Sequence, residues 1–225
     1  MLANVINYQN LIILVSTVII TLFSIAGHEL AHGYAAYLCG DDTAKIYGRL
    51  TLNPLKHIDW IGAVCLAVFR FGWAKPVPVN FHNLKNKKRD IVIVSLAGPF
   101  MNFAIAFIAT LVLYLSVKYN FATWTLYTVL INVLQLNLGL GVFNLIPLPP
   151  LDGSKVVGVF LKNRTAYKYF SFEKYGTLVL LLIFIIPFFG NIFSNILSEC
   201  VNGVYYAYIK IIQLSFKGLK LIFGV

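Results

Sequence analysis

Two histidines and a glutamate lie in a largely apolar stretch, FSIAGHELAHGYAAYLCG, at residues 23–40. His28 and His32 are four residues apart, so a helix would place both imidazoles on one face, within reach of a single zinc ion. Glu29 follows His28 directly and points about a quarter turn aside. From there its carboxylate can take a proton from a water molecule without being a metal ligand itself. The spacing therefore predicts a zinc site that carries its own general base.

The alternative interpretation is that the three side chains are interior polar residues that satisfy one another. One ionisable side chain at the centre of a membrane helix costs on the order of 2.5–3.5 kcal/mol. Three such residues in the short motif HELAH are therefore poorly explained by chance, and we favour the zinc site.

The composition around this motif is that of an integral membrane protein. Of the 225 residues, 59% are apolar and only 12% are charged, which lies outside the usual balance of a soluble protein. Uncharged runs cover residues 11–27, 91–117, 119–151 and 175–198. A membrane helix needs about 20 residues, and the first run becomes long enough once the histidines and glutamate are included. With a last helix around residues 192–214, we predict an all-α polytopic membrane protein with five transmembrane helices.

A sixth crossing depends on the apolar segment IGAVCLAVFRFGWA, residues 61–74. It contains Arg70 and has basic loops on both sides, so we favour a re-entrant or interfacial segment over a full span. Residues 43–53 and 75–81 alternate in the manner of short β-strands, and prolines in the second segment suit an edge strand. We therefore predict short membrane-associated strands near the active site. No linker or internal repeat divides the chain, so residues 1–225 are predicted to form a single domain.

The distribution of lysine and arginine predicts the orientation in the membrane. Residues 39–60, 70–90 and 147–174 together hold 14 of the 18 basic residues, and the positive-inside rule places these loops in the cytoplasm. His28 lies 17 residues beyond Leu11, about 25 Å along the first helix at 1.5 Å per residue. The zinc site is therefore predicted nearer the cytoplasmic face. The net charge of +10 arises mainly from these loops, where basic residues are expected in a membrane protein. It therefore does not indicate binding to nucleic acid, and we predict no nucleic-acid partner.

A catalytic zinc ion usually has three protein ligands and one open position, so a third ligand is needed. The candidates outside the motif are Asp41, Asp42, His57, Asp59, His82, Asp90, Asp152, Glu173 and Glu199. Most of them lie in polar or basic loops, where a solvated side chain is the default. Asp152 differs, because it directly follows an apolar span in NLIPLPPLDG, where prolines end the helix and leave the backbone free to project a carboxylate.

HELAH in a first apolar helix, followed by NLIPLPPLDG at residues 144–153, resembles the site-2 protease family of intramembrane zinc metalloproteases. LNPLKHIDWIG, GWAKPVPVN and SLAGPFMN resemble the small bacterial members, which lack a PDZ or regulatory domain. The resemblance implies one zinc ion per chain, held by His28, His32 and Asp152, with Glu29 as the catalytic base. It also implies that Asn102 and Asn144 hold the substrate backbone or the developing oxyanion. Hydrogen bonding between helices is the alternative role for both asparagines.

The activity implied by the resemblance is that of an intramembrane endopeptidase. Its substrates would be transmembrane segments of other proteins, and its location the bacterial cytoplasmic membrane. A metal transporter is disfavoured, because residues 91–117 and 124–146 contain no carboxylate or histidine along a possible path. The remaining alternative is a non-proteolytic zinc-binding membrane scaffold. Glu29 distinguishes the two, since a structural zinc site gains nothing from a base beside the metal.

Overall fold

The structure is a computed structural model that describes residues 8–62 and 74–223, and the described chain is mostly helical. The helices considered below are α1 (Tyr8–Leu38), α2 (Thr43–Ile46), α3 (Lys87–Lys118), α4 (Trp124–Asn144), α5 (Asp152–Phe160), α6 (Asn163–Ser171), α7 (Glu173–Ile185) and α8 (Pro187–Phe223). A single 3₁₀ turn, Pro54–Lys56, lies in the loop between α2 and α3.

Three of these helices, α1, α3 and α4, are long and apolar enough to cross a membrane. α7 and α8 qualify together as a fourth, but their axes bend by 97°. The bend falls at Ile186, which has an extended ψ of 111°, as expected for the residue before a proline. The described helices therefore supply three or four candidate spans, fewer than the five or six predicted. Residues 63–73 of the predicted re-entrant segment lie outside the described part of the chain.

The predicted β-strands are not confirmed. Residues 43–46 form α2, because Asp41 accepts hydrogen bonds from the backbone N–H and the hydroxyl of Thr43 and so favours a helical turn. Residues 75–80 form no strand and no other regular secondary structure. Within residues 8–62 and 74–223, β pairing is limited to one antiparallel bridge, between Ile58 and Ala74.

α3 packs against both α1 and α4, and these three helices build the part of the molecule that holds the motif. Ala106 and Ala109 of α3 lie buried against Leu134 and Leu138 of α4. Small residues allow membrane helices to approach closely, so van der Waals packing can stabilise the pair where lipid gives no hydrophobic driving force.

Asp41, just after α1, ties the end of this helix to the loop at residues 75–83. Its buried carboxylate accepts hydrogen bonds from the Asn80 N–H at 2.7 Å and from the Asn83 amide at 2.8 Å. Burial acts to raise the pKa of Asp41, but the hydrogen bonds from Thr43, Asn80 and Asn83 outweigh it and hold that pKa below its ordinary value. The ionised carboxylate thus fixes this loop beside α1.

Candidate metal centre

Three potential ligand atoms converge where α1, α3 and α5 meet. The Nε2 atoms of His28 and His32 are 3.0 Å apart, as expected for residues one turn apart on the same helix face. The Oδ2 atom of Asp152 lies 3.2 Å from His28 Nε2 and 3.0 Å from His32 Nε2. All three side chains are buried. The structure thus brings together two residues of one motif with a carboxylate 120 residues farther along the chain.

The outer nitrogen of each imidazole determines which atom is free to bind a metal. His28 Nδ1 lies 2.5 Å from Asn102 Oδ1, and His32 Nδ1 lies 2.7 Å from the Val94 carbonyl oxygen. A carbonyl oxygen only accepts, so both Nδ1 atoms donate, and each neutral ring keeps a lone pair on Nε2. Two lone pairs and a carboxylate oxygen then face one another at about 3 Å. A cation between them would turn this repulsion into attraction.

The donor set and its spacing fit zinc. Two imidazoles and one carboxylate form a known ligand set of catalytic zinc, with the fourth position left open. Zinc–ligand distances of about 2.0–2.1 Å correspond to ligand atoms roughly 3.3 Å apart around a tetrahedron. The separations of 3.0–3.2 Å in this chain are close to that value. In the described part of the chain, these residues form the one group of three side chains able to hold a metal ion.

The sequence around Asp152 explains its position. Prolines follow the end of α4, and Asp152 begins α5, where the positive end of the helix favours a carboxylate. A Cβ on Gly153 would lie 2.8 Å from the Ile146 carbonyl oxygen, so glycine is needed for this close approach. Lys155 Nζ donates to Asp152 Oδ1 at 2.9 Å, which leaves Oδ2 for the metal. Lys155 was not predicted, although an acid–base pair three residues apart on a helix is visible in the sequence.

Glu29 lies in the wall of a cavity of about 690 Å³ that also contacts His28, His32 and Asp152. Its Oε2 atom accepts a hydrogen bond from the Val77 N–H at 2.7 Å. The other carboxylate oxygen has no hydrogen-bond partner in the described residues. Glu29 is therefore held beside the three ligands without joining them, with one oxygen available in the cavity.

α3 contributes a residue that the sequence analysis did not identify, Gly98. A Cβ at this position would touch His32 Nε2 and would lie 2.6 Å from both Cε1 and Nε2 of His28. The glycine therefore lets the helix backbone pass directly against the metal-ligating atoms. Ser95, one turn earlier and also in the cavity wall, has a buried hydroxyl with no partner in the described residues. The sequence signal was a glycine in the interior of an apolar helix, within SLAGPFMN.

Asn102 lies behind His28 and not in the lining of the cavity. It is fully buried, and its Nδ2 donates to Asn137 Oδ1 at 2.9 Å. Asn137 Nδ2 in turn donates to the Val133 carbonyl and to the Ser24 hydroxyl, each at 2.9 Å. Because the Val133 carbonyl can only accept, it fixes the orientation of both amides and presents Asn102 Oδ1 to His28. These contacts support a ligand-positioning role for Asn102, beside the predicted contact with substrate.

Asn144 differs in position, because it lies in the cavity wall at the end of α4. Its Nδ2 donates to the Leu140 carbonyl at 2.9 Å. The amide oxygen and the second N–H are left for other partners. Of the two asparagines predicted to contact substrate, Asn144 is thus the one that faces the space where a substrate would bind.

Replacing Asn102 with leucine should weaken zinc binding about 10- to 100-fold, the usual cost of losing the hydrogen-bond partner of a ligating histidine. The change removes the acceptor of His28 Nδ1–H and frees the ring to rotate. Zinc affinity can be measured by competition with a chromophoric chelator. Asn132→Leu is the matched control, because Asn132, on α4, likewise hydrogen-bonds to α1 but contacts Thr17, away from the site. Equal zinc affinity in both variants would contradict the positioning role.

Comparison with known proteins also indicates zinc chemistry. Residues 117–187, which include Asp152, match the family described as "Peptidase family M50". The chain is 41% identical over 185 residues to YwhC of Bacillus subtilis, named as a proposed zinc metalloprotease, and the match covers 80% of this chain and 84% of the relative.

More distant relatives carry the same description. Rip2 of Mycobacterium tuberculosis, also named as a proposed zinc metalloprotease, is 27% identical over 184 residues, covering 76% of this chain and 69% of the relative. Rip2 of Mycolicibacterium smegmatis is 29% identical over 177 residues, and the match covers 74% of this chain and 65% of the relative. No solved structure matches the chain significantly. With two histidines and an aspartate converging beside a glutamate, and a relative 41% identical over most of both chains, the chain belongs to peptidase family M50 and is a zinc metalloprotease.

Proposed function

We propose that this membrane protein is an endopeptidase that hydrolyses peptide bonds in or near transmembrane segments of other membrane proteins. The observation that carries the proposal is the position of the three ligand atoms, buried against helices long enough to cross a membrane, with Glu29 beside them in a cavity. The scaffold alternative is not favoured, because the family is one of metalloproteases and a scaffold has no use for Glu29.

The residues of the site have different roles in hydrolysis. His28, His32 and Asp152 would hold the zinc ion, which would act as a Lewis acid and lower the pKa of a water molecule. Glu29 takes the proton of the attacking water and returns it to the leaving nitrogen. The Val77 N–H holds the carboxylate of Glu29 in place for both steps.

The segment 75–80 is the part of the cavity wall that we assign to substrate binding. Ala74, Pro76, Val77 and Val79 line the cavity that contacts the ligands. A helical substrate must unwind before its peptide bond is accessible, and an unwound stretch has unpaired backbone groups. The N–H groups of Lys75, Val77 and Asn80 already bond within the chain, and the two prolines between them have none. The Val79 N–H is therefore the donor of this segment that can pair with such a stretch by strand addition. Asn144, in the same wall, can hydrogen-bond a further backbone group of the substrate.

We also propose the arrangement in the membrane from the charge distribution. The basic loops face the cytoplasm, so the metal site in the second half of α1 lies nearer the cytoplasmic face of the bacterial cytoplasmic membrane. Of five or six crossings, three are α1, α3 and α4. The bent α7–α8 pair supplies further crossings. The whole chain, residues 1–225, acts as one metalloprotease domain.

The proposal is tested with purified protein in lipid vesicles that also contain a single-span substrate. Wild-type protein should bind about one zinc ion per chain and cleave within or next to the span, with the site mapped by mass spectrometry. Asp152→Ala should lose most of its zinc and its cleavage, because it removes one of three ligands and leaves two. Asp42→Ala removes an exposed carboxylate that makes no side-chain cap and should change neither. Zinc-dependent cleavage confined to soluble domains would contradict an intramembrane substrate.

A further inference from the structure

A second cavity, of about 630 Å³, lies between the first turns of α3 and the junction of α5 with α6. Three cationic side chains line it, Lys88 and Arg89 from α3 and Lys162 from the α5–α6 junction. The remaining wall is mainly apolar, with Ile93, Val159 and Phe160. It contains no carboxylate and is separate from the metal centre. A volume of this size accommodates a small organic ligand or a lipid headgroup with part of its chains.

Two of the three positive charges of this cavity have no carboxylate partner within the described chain. Neither Lys88 nor Lys162 has a carboxylate within salt-bridge distance there. Arg89 Nε pairs with Asp90 Oδ1 at 2.9 Å, which leaves the two terminal amino groups of the guanidinium for another partner. Like charges around one cavity repel one another. An anion in the cavity would relieve that repulsion and accept hydrogen bonds from all three side chains.

The beginning of α6 adds hydrogen-bond donors at the same place. Its N-cap residue, Lys162, provides no side-chain cap, and the first helical bond runs from the Ala166 N–H to the Lys162 carbonyl. The backbone N–H groups of Asn163, Arg164 and Thr165 therefore have no backbone acceptor in the described residues. Asn163 lines the cavity. Free N–H groups at the positive end of a nine-residue helix favour a phosphate, in addition to the three cations.

Exposed aromatic residues beside this cavity are typical of a surface at the membrane–water interface. Phe160 and Tyr167, on either side of the α5–α6 junction, are each 78% exposed. Aromatic side chains are enriched at the level of the lipid headgroups, and basic pockets on the cytoplasmic side of helix bundles bind anionic headgroups. Ile93 of α3 is 43% exposed beside the cations. Phosphate-binding groups and acyl-chain-binding surface thus lie next to one another.

We propose that this cavity binds an anionic phospholipid of the surrounding bilayer. Its phosphate lies against Lys88, Arg89 and Lys162 at the start of α6, and an acyl chain covers Ile93 and Phe160. Such a lipid bridges α3 and α5. Because α5 begins with Asp152, the lipid also holds the helix that supplies the third metal ligand.

The test compares phosphatidylglycerol with phosphatidylcholine of the same acyl chains, using native mass spectrometry and thermal stability of the purified protein. Phosphatidylglycerol should remain bound and raise Tm, because a ligand of the folded state stabilises it. Lys88→Gln combined with Lys162→Gln should weaken this binding roughly thirtyfold, from about 1 kcal/mol per basic residue. The control is Lys118→Gln with Lys210→Gln, which removes the same charge from exposed positions outside the cavity and should bind like wild type.

A second variant tests the proposal even if the Lys88→Gln, Lys162→Gln protein misfolds. Asn163→Asp adds a negative charge at the start of α6, which favours the helix but repels a phosphate, so lipid binding should fall while Tm without lipid does not. Equal binding of the two lipids, equal losses in the two double variants, or unchanged binding by Asn163→Asp would each overturn the proposal. Stabilisation by inorganic phosphate that equals that by phosphatidylglycerol would likewise identify a site for free phosphate and overturn the lipid assignment.

Discussion

Glu29→Gln should abolish nearly all peptide hydrolysis while zinc stays bound at about one ion per chain. Glutamine keeps the size of the side chain and an oxygen that can accept the Val77 N–H, so the cavity and the three ligands remain in place. An amide cannot take the proton of the attacking water. A positioned general base contributes about 10²- to 10⁴-fold, and we expect kcat to fall by that factor.

The measurement combines metal analysis with single-turnover cleavage in vesicles, because slow product release would otherwise conceal a change in the chemical step. Glu199→Gln is the matched control: it makes the same substitution at an exposed position of α8 and should keep wild-type rates. Full activity of Glu29→Gln would remove Glu29 as the base. Loss of zinc together with activity would show instead that Glu29 supports the metal.

The part of the site that was predictable from the sequence is the part encoded by local spacing. His28 and His32 share a helix face because of the helical repeat, and that geometry is present in the structure. Asp152 was identifiable because prolines and an apolar span set it apart from the other carboxylates. Its contact with the histidines, however, depends on how α5 packs against α3, which no local pattern specifies.

The contacts that were not predicted act across helices and loops. The alternation of residues 43–53 indicated a strand, but hydrogen bonds from Thr43 to Asp41 favour a helical turn, and Asp41 is held by residues about 40 positions away. Hydrogen bonds among Asn102, Asn137 and Ser24 join three helices. In the sequence, each asparagine alone is typical of an ordinary contact between helices, so the connection among them was not predictable. Tertiary contacts of this kind override local preference.

Gly98→Ala should disrupt the metal centre although alanine is the better helix former by about 1 kcal/mol. The added methyl group would overlap His32 Nε2 and lie 2.6 Å from His28 Nε2. Rotation of the His28 ring would break its hydrogen bond to Asn102, and rotation of the His32 ring would break its hydrogen bond to the Val94 carbonyl. Relief therefore requires α1 and α3 to separate, and overpacking of this kind costs about 1–3 kcal/mol. We expect loss of zinc, loss of cleavage and a lower Tm.

Gly139→Ala provides the control that separates this effect from a general intolerance of helix glycines. Gly139 lies within the neighbouring span α4, and a Cβ there would meet nothing within 4 Å. Alanine at that position should leave zinc content unchanged and raise stability by up to about 1 kcal/mol. Zinc content by metal analysis and Tm in the same detergent measure both variants. Both substitutions replace glycine with alanine inside a helix, so the change in helix propensity is the same. Opposite outcomes would therefore identify the contact with the histidines as the cause. Normal zinc binding by Gly98→Ala would show that α3 does not press against the ligands as described.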